Sequence, residues 1–90
     1  MRILANDGID STAVEALEKA GFEVQTEKIE QEDLESRINE FDVLLVRSAT
    51  KVRQNLIDAG SKLKIIGRGG VGMDNIDVEY ARDKGLKVIN

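Results

Sequence analysis

The chain has 90 residues, of which 41% are hydrophobic and 33% are charged, and its net charge is −4. A chain of this length and composition forms one globular domain, here residues 1–90. The absence of cysteine and histidine excludes disulfides, thiol chemistry and an imidazole base and removes the commonest metal ligand, while the acidic balance argues against nucleic-acid binding.

The first quarter of the chain alternates between a strand pattern and a helix pattern. Residues 2–5 (RILA) predict a strand, and the polar loop NDGID follows it. Asp10 or Ser11 is suited to cap a helix that Gly21 ends. The apolar face of this helix consists of Val14, Leu17 and Ala20. Residues 22–25 predict the second strand.

The middle of the chain repeats this alternation. Residues 31–39 predict a second helix, and residues 41–46 (FDVLLV) predict a third strand. The nearly continuous apolar run of that strand is typical of burial on both faces. Residues 52–59 predict a third helix, which ends at Gly60, and residues 63–66 predict a fourth strand.

The last part of the chain completes the pattern. Residues 76–84 predict a fourth helix that ends at Gly85, and residues 86–89 predict a fifth strand. Strands that alternate with helices indicate parallel pairing through right-handed crossovers. We therefore predict a three-layer α/β/α flavodoxin-like domain with a five-stranded parallel sheet of order 2-1-3-4-5 and about four helices.

Two loops at the carboxyl ends of the predicted strands carry an arginine directly after an apolar run. Arg47 follows the third strand and Arg68 follows the fourth. Because these strands are neighbours in the predicted order, both side chains should lie at one edge of the sheet. Guanidinium groups bind carboxylates and phosphates in bidentate geometry. The groups around them also suit an anion: Ser48, Thr50, Lys51 and the backbone N–H groups near Gly69, Gly70 and Gly72.

The charge distribution agrees with an anion site in the second half of the chain. Residues 1–45 have a net charge of −8, whereas residues 46–90 have a net charge of +4. An anion site there predicts a small anionic ligand as partner, whereas the alternative is helix surface charge that is unevenly distributed along the chain. A competing interpretation is that one arginine pairs with Asp74 and the other is only solvated.

The stretch GRGGVG satisfies the pattern G-x-G-x-x-G at Gly67, Gly69 and Gly72. A dinucleotide-binding turn with this pattern follows the first strand of its domain and opens a helix directly. Here the pattern follows the fourth strand, and the polar stretch MDNID separates it from the next helix. We therefore predict that this turn does not bind NAD and that the chain itself holds no cofactor.

Two motifs together carry a family resemblance. RSATKV at residues 47–52 and GRGGVGMDNID at residues 67–77, separated by a short helix, resemble the D-isomer-specific 2-hydroxyacid dehydrogenases, and the similarity extends over the whole chain. The resemblance implies a flavodoxin-like substrate-binding domain of an NAD-dependent oxidoreductase whose NAD lies in a separate Rossmann domain. It assigns the substrate's anionic groups to Arg47 and Arg68, with support from Ser48 and Lys51. It further implies a substrate cleft lined by Gly69, Gly70 and Asn75, and places Val71 near the nicotinamide of the complete enzyme.

The resemblance also sets an expectation for activity. The family's catalytic arginine, glutamate and histidine have no counterparts in these residues, so we predict no catalytic residue and no hydride transfer by this chain alone. What it implies instead is weak binding of a phosphorylated 2-hydroxy acid. The alternative is an excised or designed flavodoxin-like scaffold that binds no ligand.

Two other classes with this fold fit the residues less well. A signalling receiver domain would need an aspartate at the end of the third strand, where Arg47 stands. An FMN-binding flavodoxin would need a hydroxyl-rich phosphate loop in place of NDGID.

The remaining expectations concern partners and location. No apolar run approaches the roughly 20 residues of a membrane span, and the first residues lack the features of a signal peptide. We therefore expect a cytoplasmic protein without a membrane partner. The surface that would pack on a Rossmann domain, together with open strand edges, predicts a homodimer.

Overall fold

A five-stranded parallel sheet forms the centre of the structure, a computed structural model that describes residues 1–70 and 72–90. The strands are β1 Arg2–Ala5, β2 Glu23–Gln25, β3 Val43–Val46, β4 Ile65–Arg68 and β5 Lys87–Ile89. The helices are α1 Ser11–Lys19, α2 Gln31–Arg37, α3 Gln54–Ala59 and α4 Val78–Asp83, and a 3₁₀ turn, Ile38–Glu40, follows α2.

The strand order is β2-β1-β3-β4-β5 with every neighbouring pair parallel, which confirms the predicted fold class. The chain moves from β1 to β2 in one direction across the sheet and from β2 through β3 to β5 in the other. Right-handed crossovers therefore place α1 on one face and α2, α3 and α4 on the opposite face.

The face beneath α2, α3 and α4 contains the hydrophobic core. One row of apolar strand residues crosses the sheet in register and is buried: Leu4, Leu44, Ile66 and Val88. The helices and the 3₁₀ turn pack apolar side chains on this row: Leu34, Ile38, Leu56, Ile57 and Ala81. Each fully buried side chain of this size contributes about 1.5–3 kcal/mol.

The opposite face is buried at β1 and at the start of β3, where Ile3, Ala5 and Val43 lie, and is more open toward β4 and β5. None of the residues of α1 is buried, although the helix contacts β2. Next to it, Leu45 of β3 and Ile65 of β4 are only half-buried, and Ile89 of β5 is 50% exposed. The exposed apolar surface of the sheet is therefore concentrated on this face near β4 and β5.

The fourth strand lies two residues later than predicted, at Ile65–Arg68 instead of residues 63–66. Gly67 and Arg68 belong to β4 because they pair in register with Leu45 and Val46 of β3. Leu63 lies before the strand and is buried in the core. The prediction that the fourth strand ends at residue 66 was therefore wrong, and Arg68 belongs to the sheet.

The third and fourth helices are shorter than predicted because their first apolar residues have another role. Val52 and Ile76 form an isolated parallel β-bridge between the two loops that precede α3 and α4. At α1, Asp10 occupies the N-cap position, but its side chain makes no capping hydrogen bond. In the described ranges, no helix has the length and apolar character needed to cross a membrane.

Candidate functional site

Two arginines lie side by side where β3 and β4 end. Val46 pairs with Arg68 in register, and Arg47 follows Val46 directly, as expected from the strand order. The Arg47 side chain lies across Gly69, where a Cβ atom would be 3.7 Å from both Cγ and Nε of Arg47. Arg47 is exposed and Arg68 is half-buried, so the carboxyl edge of the sheet presents two guanidinium groups.

Asn75 connects these two arginines. Its side chain is buried, with the residue 3% exposed. Its Oδ1 accepts a hydrogen bond of 2.8 Å from Arg68 Nε. Its Nδ2 donates to the carbonyl oxygens of Arg47 at 2.6 Å and of Thr50 at 2.7 Å. One neutral amide therefore orients the Arg68 side chain and fixes the backbone that carries Arg47.

The loops that follow β3 and β4 are also joined through their backbones. The N–H of Val52 donates to the carbonyl of Asn75 at 2.8 Å, and the N–H of Asp77 donates to the carbonyl of Val52 at 2.9 Å. Arg53 and Asp77 add an ion pair of 3.1 Å between Nη1 and Oδ1. Since Val52 and Ile76 are both buried, the two loops form one connected unit.

Asp7, in the loop after β1, accepts hydrogen bonds from the loop after β3. Its Oδ2 accepts the N–H of Arg47 at 2.7 Å and the N–H of Thr50 at 3.0 Å. Its Oδ1 accepts the Thr50 hydroxyl at 2.6 Å and lies 3.1 Å from Lys28 Nζ. The carboxylate is 3% exposed, so these partners replace almost all of its solvent.

The surroundings of Asp7 change its acidity. Burial acts to raise the pKa of the Asp7 carboxyl, but four contacts together outweigh that effect. They are hydrogen bonds from the Thr50 hydroxyl, the Thr50 and Arg47 backbone N–H groups and Lys28, and they lower the pKa from 3.8 to about 2. The Asp7 side chain is therefore an anion at every physiological pH.

Asn6, which precedes Asp7, belongs to the same polar network and connects Thr50 to Ile29. Its Nδ2 donates to the Ile29 carbonyl and to Thr50 Oγ1, each at 3.0 Å, and its Oδ1 accepts the N–H of Ile29 at 2.8 Å. Asn6 and Thr50 are each 2% exposed. Every buried side-chain nitrogen and oxygen in the described ranges has a partner, as a well-ordered polar network requires.

The far end of the same loop is fixed by Gln31 at the start of α2. Gln31 Nε2 donates to the Lys51 carbonyl at 3.0 Å, and the Lys51 N–H donates to Gln31 Oε1 at 2.9 Å. The Lys51 ammonium donates to the Ser48 carbonyl at 3.3 Å. Ser48 and Lys51 therefore lie in the arginine loop, and both are exposed.

The positive charges at this edge are not neutralised by carboxylates. Across residues 1–70 and 72–90, Arg47, Arg68 and Lys51 make no ion pair within 4.0 Å. The interpretation in which an arginine pairs with Asp74 is therefore not what the structure has, since Arg68 binds the neutral Asn75 side chain instead. Charged guanidinium groups that lack a counter-ion are suited to bind an anionic ligand.

Gly70 leaves the space that the Arg68 guanidinium group occupies. Its φ of +128° is one that side chains with a Cβ rarely adopt, and a Cβ here would be 2.5 Å from Arg68 Nη1. A cavity of about 260 Å³ adjoins the two arginines. It is lined by Gly8, Ile9, Leu45, Val46, Arg47, Gly67, Arg68, Gly69, Ile89 and Asn90.

The described glycines of the G-x-G-x-x-G pattern lack two features of a dinucleotide-binding turn. Gly67 lies inside β4, where a Cβ would be 2.8 Å from Leu45 Cδ2, so this glycine serves sheet packing. The next helix begins only at Val78, so no helix N-terminus follows the glycines directly, as a pyrophosphate site requires. Val71, predicted to lie near the nicotinamide, is outside the described residues. Within those residues, no three acidic, histidine or cysteine side chains come together as metal ligands would.

Sequence reasoning missed part of this arrangement. It named the arginines, Ser48, Lys51, Gly69, Gly70 and Asn75, which the structure brings to one edge; their role toward a ligand stays a prediction. It did not assign Asn6, Asp7 or Gln31. A signal for the first two was present, because both follow an apolar strand directly at the edge where parallel strands place functional groups.

Known proteins share this chain's sequence and fold. Residues 3–90 match the family model described as "D-isomer specific 2-hydroxyacid dehydrogenase, catalytic domain". The hydroxypyruvate reductase of Thermotoga maritima is 50% identical over 90 residues, which cover 99% of this chain and 29% of that protein. The D-3-phosphoglycerate dehydrogenase of Methanocaldococcus jannaschii is 44% identical over 90 residues, which cover 100% of this chain and 17% of that protein.

A solved structure is similar to this chain in both fold and sequence. The NAD⁺-bound 3-phosphoglycerate dehydrogenase of Entamoeba histolytica superposes with a TM-score of 0.84 at 38% identity. The match covers 98% of this chain and 32% of that one. The chain thus spans less than a third of the length of these relatives.

Proposed function

Because the chain belongs to the D-isomer-specific 2-hydroxyacid dehydrogenase family, we propose that its carboxyl edge binds the anionic groups of a D-2-hydroxy acid. The observation that carries this proposal is the pair of arginines joined by Asn75. The Asn75 amide orients the Arg68 guanidinium and binds the Arg47 backbone carbonyl, and neither guanidinium makes an ion pair in the described ranges. The site thus keeps two positive charges for its ligand.

The two arginines contribute differently. Arg68 is held at Nε by Asn75 and at Nη1 by the Gly69 carbonyl, at 2.8 and 3.3 Å, so its guanidinium plane is preset. Arg47 is exposed and has more freedom, although its backbone is fixed. A preset arginine loses little entropy when it binds a carboxylate or phosphate. Arg68 orients the ligand, and Arg47 adds the second charge-assisted contact.

Two positive groups suit a substrate with two anionic groups, so the substrate we propose is D-3-phosphoglycerate. The whole enzyme would then be a D-3-phosphoglycerate dehydrogenase that transfers a hydride to NAD. The 50% identity to a hydroxypyruvate reductase favours a second candidate, an unphosphorylated 2-oxo or 2-hydroxy acid. An excised scaffold that has lost binding is the remaining alternative.

The chain's own residues supply binding rather than proton transfer. It contains no histidine, and Asp7, the carboxylate that contacts this edge, has a pKa of about 2. A group so acidic is a poor general base at neutral pH. No helix follows the glycine pattern directly, since α4 begins only at Val78. We therefore propose that NAD binds elsewhere in the whole enzyme and that the isolated chain is inactive in hydride transfer.

An amide-resolved NMR titration of the chain with D-3-phosphoglycerate tests this function. We expect shifts at Arg47, Ser48, Arg68, Gly69 and Gly70, with an affinity of about 1 mM because only part of a cleft is present. Hydroxypyruvate tests the second candidate, and NAD is the negative control. Shifts in the glycine stretch with NAD alone, or no shifts with either acid, would contradict the proposal.

A matched arginine variant makes the titration specific. Arg53 lies close to Arg47 in sequence but is paired with Asp77. Arg47→Met and Arg68→Met should each weaken binding about tenfold or more, since a hydrogen bond to a charged group contributes about 1.5–3 kcal/mol. Arg53→Met should leave the affinity within about twofold. Equal losses in all three variants would indicate nonspecific attraction by charge.

We also propose that the open sheet face pairs with a second copy of the chain. Leu45 and Ile65 are half-buried on this face, Ile89 is 50% exposed, and β2 and β5 are unpaired edge strands. Light scattering over a concentration series should show a homodimer that Ile89→Lys disrupts. A wild-type chain that stays monomeric at about 1 mM would refute this proposal.

A further inference from the structure

We propose that Asp7 is the positioning residue of the anion loop, defined here as residues 47–51: its carboxylate fixes this loop so that Arg47 and Ser48 face the ligand. The inference rests on the proposed function and deepens it. Asp7 itself does not touch the ligand in this proposal. It acts through the backbone of Arg47 and Thr50, from a different strand's loop.

The geometry favours this role because one carboxylate holds two points of the loop. Oδ2 accepts the N–H of Arg47 at 2.7 Å and that of Thr50 at 3.0 Å. Oδ1 accepts the Thr50 hydroxyl at 2.6 Å. These bonds fix the distance between the two residues and thereby the shape of the turn between them.

The residues inside the turn are available to a ligand. In the described ranges, the N–H groups of Ser48 and Ala49 meet no hydrogen-bond acceptor. Both residues are exposed, whereas Thr50 is buried. Two adjacent unpaired N–H groups next to an arginine form a good anion site when their turn is rigid.

Without a positioning role, the negative charge of Asp7 would be unfavourable at a site for an anionic ligand. A carboxylate beside two arginines should repel an anionic ligand and weaken its binding. This carboxylate is 3% exposed, and Lys28 Nζ lies 3.1 Å from its Oδ1. The lysine and the N–H donors offset the unfavourable field, so the contribution of Asp7 must come from its geometry.

The sign of the mutational effect separates geometry from charge. Asp7→Asn removes a negative charge near the ligand and turns one acceptor into a donor that faces Lys28 and Thr50. If Asp7 acted by charge alone, D-3-phosphoglycerate would bind more tightly to this variant. A positioning role predicts at least a fivefold weaker affinity in the same NMR titration, with the shifts of Ser48 and Ala49 most reduced.

Two further variants complete the test. Asp10→Asn is the matched control, because Asp10 lies in the same loop, carries the same charge and makes no capping hydrogen bond; its affinity should stay within twofold. Thr50→Val removes the hydroxyl that donates to Asp7 and should weaken binding in the same direction as Asp7→Asn. Thr50→Ser keeps the hydroxyl and should restore the affinity.

Amide hydrogen exchange without ligand keeps the proposal testable independently of binding. In the wild-type chain, the Arg47 and Thr50 N–H groups should be protected. Asp7→Ala removes the oxygen that accepts both N–H groups and should lower that protection at least tenfold, while Leu44 and Ile66 in the core keep theirs. If the wild-type chain binds no acid but this loss occurs, the proposed function fails and the hold of Asp7 on the loop stands. Tighter binding by Asp7→Asn, or unchanged protection of both N–H groups in Asp7→Ala, would overturn the inference.

Discussion

Arginines at the two ends of the sheet have opposite surroundings. At the amino edge, Arg2 lies 3.3 Å from Glu23 and 3.4 Å from Glu40, and its guanidinium carbon lies 4.8 Å from the centre of the Phe41 ring. At the carboxyl edge, Arg68 is bound by the amide of Asn75 and by a backbone carbonyl. Carboxylates cancel the charge of the first arginine, whereas neutral oxygens orient the second and leave its charge in place.

This difference shows how a fold can use the same side chain for stability or for binding. A guanidinium group has five N–H donors and no acceptor, so an amide oxygen can fix its plane and leave several donors to a ligand. A carboxylate would do the same but would compete with an anionic ligand for the charge. The Asp7 carboxylate at the carboxyl edge binds backbone N–H groups, the Thr50 hydroxyl and Lys28 instead of the guanidinium groups.

The largest effect is expected from removing the amide that makes the carboxyl edge different. Asn75→Ala leaves the buried carbonyl oxygens of Arg47 and Thr50 without a donor and releases Arg68. Each buried group left without a partner costs about 1–3 kcal/mol, so the free energy of unfolding should fall by about 3 kcal/mol in urea titrations. Asn55→Ala, at an exposed position of α3, should change it by less than about 0.5 kcal/mol. Similar losses in both variants would mean that the network has no special stability.

Replacing the arginine of each edge by methionine tests the comparison directly. Arg68→Met should weaken D-3-phosphoglycerate binding by about 2 kcal/mol. It should also lower the free energy of unfolding by about 1 kcal/mol, because the buried Oδ1 of Asn75 loses its donor while the bonds of Asn75 Nδ2 to the loop remain. Arg2→Met should lower that free energy by about 1 kcal/mol, through lost ion pairs and ring contact, without affecting binding. Both variants require paired urea and NMR titrations. The comparison fails if Arg2→Met weakens binding as much as Arg68→Met does.

The pH dependence of the free energy of unfolding should distinguish the carboxylates of the two edges, Asp7 and Asp42. The pKa of Asp7 is about 2 in the folded chain and about 3.8 without its partners, so its contribution of roughly 2 kcal/mol is present above about pH 5 and is lost as the pH falls toward 2. At the amino edge, the hydrogen bond from the Arg2 N–H lowers the pKa of the half-buried Asp42 as well. Urea titrations from pH 6 to pH 2 should show a smaller decline for Asp7→Asn than for Asp42→Asn. The reverse order would contradict the central role of Asp7.

The alternation of strand and helix patterns, with glycines at the helix ends, predicted the sheet order. Strands that alternate with helices leave few topologies with right-handed crossovers. The same patterns also placed Arg47 and Arg68 at one edge, which follows from strand order alone. They missed the boundary of β4 because Gly67 resembles a loop residue, whereas it lies in the strand to make room for Leu45. They missed Asp7 as a partner of Thr50 because that contact joins residues 43 positions apart, and no local pattern encodes such a distance.

The smallest expected effects on stability come from alanine substitutions at two glycines of one loop, Gly70 and Gly72, which should respond differently. Gly70→Ala places a Cβ at a φ of +128° and 2.5 Å from Arg68 Nη1. The backbone strain costs about 1 kcal/mol, and the flexible end of the arginine moves aside, so binding should suffer more than stability does. Gly72 has no positive φ and no heavy atom within 4 Å of an added Cβ, so Gly72→Ala should be neutral or slightly stabilising. Parallel urea and NMR titrations measure both quantities. Unchanged binding by Gly70→Ala would show that the charge at the carboxyl edge matters but the preset plane of Arg68 does not.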